Sequence, residues 1–221
     1  MKPFAPVTRS KEQARQYYDR ISGIYDWLTS SEKQLIEKGV EALSPQPGET
    51  LLEIGCGTGT GLKLISKSLS QSGALIGLDL AHQMLRESQK KSKAGLVEGD
   101  GTKIPLQNAR FDAVFCSFTL ELFPANEIPE VLGEIRRVLK PEGRLIIAAL
   151  SAKPRTLIVR IYELAHKLFP VALDCRPIPL EDILIENRYR IQAKTELMNW
   201  GLPVKITTSE PVRRSNYRIN L

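Results

Sequence analysis

Leu51-Leu52-Glu53-Ile54-Gly55-Cys56-Gly57-Thr58-Gly59 is a short apolar run that breaks into three alternate glycines. Residues 51–54 read as a buried strand, and a helix begins near Gly59. Without a Cβ, each glycine lets the backbone turn sharply and come close to a ligand. The spacing is not that of a dinucleotide fingerprint: counting from Gly55 and Gly57, Thr60 stands where the third glycine belongs. A pyrophosphate is disfavoured, and a ligand with an adenosine but no phosphate suits the turn better.

Outward from this turn, β-rich runs at 74–78, 95–98, 111–116 and 144–149 alternate with helices. The helices begin near Ala81 and Ile128, the second ending at Leu139 ahead of the turn Lys140-Pro141-Glu142-Gly143. Such alternation predicts a parallel sheet covered on both faces. Ahead of it, 12–44 reads as two helices, joined to the first strand by Pro45-Gln46-Pro47-Gly48. Beyond it, 155–169 has helical spacing at Leu157, Ile158, Ile161, Leu164, Ala165 and Leu168. Pro177 and Pro179 reset the chain, 180–188 reads as a helix, and runs at 191–199 and 204–211 predict an antiparallel hairpin around Gly201-Leu202-Pro203. One domain over 1–221 is expected: a helical cap (1–46), a ligand-binding core (47–150), and substrate-side helices with the hairpin (151–221).

With 221 residues, 42% hydrophobic, the chain is long enough to bury one full core. A net charge of +6 suits contact with anionic surfaces, whether phospholipid, nucleic acid or acidic metabolites. Cys56, Cys116 and Cys175 show neither paired nor metal-ligand spacing, so a reducing cytoplasm and no metal are expected. Residues 1–6 lack the apolar stretch of a signal peptide, and the longest aliphatic run, 145–150, is too short to span a bilayer. A cytoplasmic protein, peripheral at the inner membrane surface, fits these features.

Asp79 closes the second strand, where a carboxylate accepts hydrogen bonds from both hydroxyls of a ribose; it also stands where it could cap the helix from Ala81. Asp100, in Gly99-Asp100-Gly101-Thr102, is placed to accept from an adenine amine, although all these residues also suit a plain turn. In this order and spacing, residues 17–150 resemble the class I S-adenosylmethionine-dependent methyltransferases. Within them the stretch is most similar to the menaquinone/ubiquinone C-methyltransferase-like (type 11) family, and less closely to soluble phosphatidylethanolamine N-methyltransferases. The resemblance implies an α/β, Rossmann-like seven-stranded mixed sheet with helices on both faces and a C-terminal antiparallel hairpin. It implies S-adenosylmethionine as cofactor, with Gly55, Cys56, Gly57 and Gly59 at its methionine part and Glu53 supporting the turn. Asp79 would hold the ribose, Leu80 and Met84 would flank the adenine, and Asp100, Gly101 and Thr102 would read its edge. Ser117 would join them from the fourth strand, and Tyr18 and Tyr25 would close over the site from the cap.

Methyl transfer is an in-line displacement, in which alignment alone supplies roughly 7–11 kcal/mol. A base is needed only if the acceptor must first lose a proton, and the sequence offers two weak candidates, Glu121 and His166; His82 is the other histidine. After the fourth strand the chain reads Thr119-Leu120-Glu121-Leu122, where quinone enzymes usually carry glycine-leucine-arginine-asparagine. Two acceptors are expected, a prenylated quinol ring and, as the alternative, a phospholipid amine. The helix at 155–169, with Arg155, Arg160 and Lys167 among aliphatics, reads as a lid or as a contact with an anionic membrane. A nicotinamide-dependent oxidoreductase is disfavoured by Thr60 and by the lack of a second substrate domain. A nucleic-acid methyltransferase has only the basic balance and Arg213-Arg214 in its favour, without an Asn-Pro-Pro-Tyr-type motif or aromatic-basic interleaving.

Overall fold

Successive residues of the central strands point to opposite faces, and here both faces are apolar, which requires a sheet covered on each side. The computed structural model describes residues 6–7, 9–69, 73–154, 157–168 and 175–212. Its strands are β1 (Thr50–Ile54), β2 (Ala74–Asp79), β3 (Gly95–Glu98), β4 (Phe111–Ser117), β5 (Leu139–Leu150), β6 (Tyr189–Asn199) and β7 (Leu202–Pro211). They form one mixed sheet in the order β3-β2-β1-β4-β5-β7-β6, parallel from β3 to β5 and antiparallel beyond. This is the Rossmann-like architecture expected, with strand order reversing about β1 and β4, where ligands of open α/β sheets bind.

The helices are α1 (Lys11–Ile21), α2 (Tyr25–Leu28), α3 (Lys33–Leu43), α4 (Thr60–Ser68), α5 (His82–Gln89), α6 (Ile128–Val138), α7 (Leu157–Leu168) and α8 (Leu180–Glu186). Ala113, Phe115, Ile146 and Ala148 pack with Leu43 of α3 and with Leu62 and Ile65 of α4. Their neighbours Val114, Cys116, Leu145 and Ile147 pack on the other face with α6 and α8. The inner side of α6 is Ile128, Val131, Leu132, Ile135 and Val138, one apolar stripe at helical spacing. Burying residues of this size contributes about 1.5–3 kcal/mol each, so this sandwich dominates stability.

Three expectations of the sequence change. The two helices over 12–44 are three, because the side chains of Ser22 and Thr29 donate back to the carbonyls of Asp19 and Tyr25 and tighten the chain into 3-10 turns at Ser22–Ile24 and Ser30–Glu32. β5 begins at Leu139 instead of Arg144: Leu139 pairs with Phe111 and Arg144 with Ala113, so 140–143 bulge out of the ladder. Pro141, which has no N–H to donate, is tolerated in that bulge. The hairpin strands meet through a two-residue turn, Trp200-Gly201, both at positive φ (52° and 77°). Arg155, Phe169 and Arg213-Arg214 lie outside the described residues, as does the side chain of Lys167. Among the described residues no helix is long and apolar enough to cross a membrane.

Candidate functional site

The glycine turn is fixed from below by β2. Gly55 and Cys56 donate their N–H groups to the Leu78 carbonyl (2.8 and 3.1 Å), and Gly57 donates to Asp79 Oδ2 (2.8 Å). Gly55, Gly57 and Gly59 all have left-handed φ (66°, 50° and 83°), which a residue with a Cβ adopts at a cost. A Cβ on Gly55 would fall 2.2 Å from the Thr119 hydroxyl, so that glycine is needed for packing as well. One on Gly57 would meet only Tyr25 Cε1 at 3.9 Å, so this glycine leaves bare space above the strand ends. Asp79 Oδ1 accepts from the Ala81 N–H (2.9 Å), so the carboxylate links glycine turn and β2–α5 junction. Burial pushes its pKa up to about 6 against the pull of the Ala81 and Gly57 amides.

Above the turn is a cavity of about 340 Å³, a size ordinary for small-molecule sites. Of the residues singled out in the sequence, it brings together Tyr18, Tyr25, Gly55, Gly57, Asp79, Leu80, Met84, Asp100, Gly101 and Ser117. Segments after β4 add Phe118, Thr119, Leu122 and Phe123, and the first turns of α1 add Ser10, Lys11, Ala14 and Arg15. Sequence reasoning placed Tyr18 of α1 over the site but did not single out Lys11 or Arg15 at the start of that helix; the available signal there was the capping box between Ser10 and Gln13.

Lys11 reaches across to the tip of β3. Its ammonium donates to Asp100 Oδ2 (2.6 Å) and to Thr102 Oγ1 (3.0 Å) and pairs with Glu127 Oε2 (3.0 Å). The Thr102 amide donates to Asp100 Oδ1 (2.9 Å). Burial alone would raise the pKa of Asp100, but Lys11 and Thr102 hold it below the usual carboxylate range. Two further cap carboxylates dock on the core. Asp19 Oδ1 accepts from the Gln83 N–H (2.7 Å), capping α5 from another helix, and Asp26 accepts from Thr58 Oγ1 (2.5 Å) and pairs with Lys91.

Glu53, Cys56, Gly59 and Thr102 lie behind the cavity wall. Glu53 is buried beneath the start of α4, where it accepts from the Leu62 amide; a Cβ on Gly61 would fall 2.1 Å from its Oε1. Burial raises its pKa well above the carboxylate range. Cys56 is buried with its sulfur against Gly77, Gly59 packs on Ser88, and Thr102 faces Lys11. Glu121 and His166 do not line the cavity either. Glu121 is buried in the 3-10 turn Leu120–Leu122, where Oε1 accepts from the Leu150 N–H (3.2 Å), and burial pushes its pKa up to about 8. Arg176, also buried, donates Nε–H to the Glu121 carbonyl (3.0 Å). Glu121 therefore ties this turn to the end of β5, while His166 is buried on α7.

A sheet of this order, a glycine turn under an open cavity and two carboxylates at successive strand ends define the frame of a class I methyltransferase. Residues 52–147 match the family model described as "Methyltransferase domain". The demethylmenaquinone methyltransferase of Clavibacter sepedonicus is 32% identical over 173 residues, covering 74% of this chain and 68% of that protein. The nocamycin O-methyltransferase of Saccharothrix syringae is 32% identical over 136 residues, 58% of this chain and 48% of that one. Among solved structures, magnesium protoporphyrin IX methyltransferase from Synechocystis, with bound SAH, superposes with a TM-score of 0.72 at 18% identity, covering 92% of this chain and 100% of that one. The chain belongs to the class I S-adenosylmethionine-dependent methyltransferases, in the menaquinone/ubiquinone C-methyltransferase-like (type 11) family. It is a methyltransferase, and S-adenosylmethionine is its cofactor.

Proposed function

We propose that this enzyme methylates a ring carbon of a lipid-like quinol, with the acceptor beside Phe118, Leu122 and Phe123. The observation that carries this reading is the composition of the cavity wall after β4. Apart from the Thr119 hydroxyl, residues 118–123 present apolar and aromatic side chains there, Glu121 is turned away into the core, and Glu127 beyond them is paired with Lys11. Phospholipid amines, the other acceptor considered, find no separate support in this wall. The name of the Clavibacter relative points to the same acceptor class.

The cavity fits the cofactor by its bare glycine surface and its carboxylates. Gly55 and Gly57 would face the methionine part, Asp79 would hold the ribose, and Asp100 with Gly101 would read the adenine between Leu80 and Met84. Bound S-adenosylmethionine supplies a methyl group on a sulfonium whose sulfur leaves readily. The protein's part is alignment: Tyr18 and Tyr25 roof the cavity and exclude water, and the residues 118–123 hold the acceptor ring in line. The described residues of 1–46 are a cap on the core, and the acceptor is drawn from the face of an anionic membrane.

The test is incubation with methyl-labelled cofactor and a total lipid and quinone extract, followed by identification of the labelled product. Label on a ring carbon of a lipid-soluble quinol is expected. Label in a phospholipid headgroup, or only in a water-soluble O-methyl product, would overturn the assignment.

A further inference from the structure

α7 is apolar on two sides. Val159, Tyr162 and His166 face inward, and Val159 shares a buried cluster with Leu35, Phe118, Leu202 and Val204. The outer side carries Leu157, Ile161 and Leu164, all exposed, with exposed Arg160 along one edge and Ile158 along the other. At 100° per residue these five span a single face, so the helix presents an aliphatic stripe to solvent where a surface helix ordinarily carries charge.

The stripe continues onto the hairpin. A Cβ on Gly201 would fall 2.8 Å from Ile158 Cδ1, so the Trp200-Gly201 turn abuts the helix. Trp200 is 84% exposed, and Met198 just before it is exposed too. Its φ of 52° is one that turn chemistry assigns to asparagine or glycine, so a tryptophan is placed there at some cost in backbone energy. Tryptophan is the side chain that bilayer interfaces collect, its ring body apolar and its N–H wet.

We propose that the outer face of α7 and Trp200 form the surface by which this protein docks on an anionic lipid bilayer. Charge complementarity favours a bilayer over a second copy of the chain: the molecule is +6 overall, and Arg160 flanks the stripe as a cation placed to meet lipid phosphates. Two copies would instead bring like charges together. The inner side of the same helix backs the cavity wall, since Phe118 lines the cavity and shares its cluster with Val159. The proposal deepens the reading of a lipid-like acceptor and rests on it for its purpose, because a docked α7 would set the acceptor side of the cavity against the lipid. The helix is the one the sequence pointed to, with Trp200 added and the balance of forces changed. Apolar insertion leads, and the basic residues assist.

The chain has two tryptophans, Trp27 and Trp200, so Trp27→Phe leaves Trp200 as the only indole. With vesicles of phosphatidylcholine and phosphatidylglycerol, the emission of that variant should shift to the blue and be quenched by brominated acyl chains. Adding Ile161→Glu and Leu164→Glu, both at exposed positions, should lower vesicle partitioning by about tenfold or more while SAH binding in buffer is unchanged. Unshifted emission without flotation would overturn the proposal, as would binding that ignores both glutamates. A dimer in buffer that the glutamates dissociate, without vesicle binding, would overturn it in favour of a second copy. The partition measurement uses neither acceptor nor methyl donor, so its failure is distinguishable from failure of the acceptor assay.

Discussion

Asp79 is the residue on which cofactor affinity should turn. Both its oxygens already accept amides, from Gly57 and Ala81, and the residue lines the cavity. Charge-assisted hydrogen bonds of this kind contribute about 1.5–3 kcal/mol, so Asp79→Ala should weaken SAH binding by that amount in calorimetry. Its pKa, raised from 3.8 to about 6, adds a sign. The ribose hydroxyls are best accepted by the anion, so affinity should be level above about pH 6 and fall about tenfold per unit below it. A flat profile in wild type would mean that Asp79 serves the turn alone.

Among the elements, the cap shows how far sequence reading goes. The strands were legible because short continuous apolar runs between glycine and proline turns, alternating with helical stretches, fit a buried parallel sheet, and the carboxylates stood out as strand-end acids. Tyr18 put α1 over the site, but the role of the helix's first turn was hidden, since none of its residues is buried and its charges read as a solvated face. Lys11 in particular is indistinguishable in sequence from any surface lysine. Glu121 misled for the opposite reason: at a strand end it looked catalytic, but the 3-10 turn rotates it into the core. The cap's own behaviour follows from its anchors. Asp26 binds the Thr58 hydroxyl and Lys91 next to Tyr25, which roofs the cavity. In Asp26→Ala, hydrogen exchange over 17–28 should quicken and SAH affinity should fall by about 1 kcal/mol. Exchange unchanged by the substitution would show the cap to be held by its other contacts alone. In wild type, SAH should slow exchange over 17–27, because ligand contacts favour the closed cap.

For the molecule as a whole, the buried carboxyl of Glu121 makes stability depend on pH. Burial raises its pKa from 4.5 to about 8, so the native state holds a proton that the unfolded chain has released within this window. Its contribution is therefore intact below about pH 4.5 and is lost as pH rises towards about 8, at about 1.4 kcal/mol per unit. Glu121→Gln keeps an oxygen for the Leu150 amide and carries no titrating proton. Denaturation across the window should show the variant gaining on wild type as pH rises, and parallel curves would assign any loss of stability in that window to other groups.

β7 is the last strand among the described residues yet lies inside the sheet, hydrogen-bonded to β5 on one side and β6 on the other. Until it docks with its hairpin partner β6, the backbone of β5 is an open apolar edge. The hairpin is local, but the β5–β7 pairing joins distant parts of the chain, Leu145 with Ser209, so its loop-closure entropy delays it. The interval before closure is when the molecule is most prone to pair with a neighbour instead of itself. A nick or truncation ahead of Leu202 would make that interval permanent, turning a monomeric folding problem into precipitation that grows with concentration.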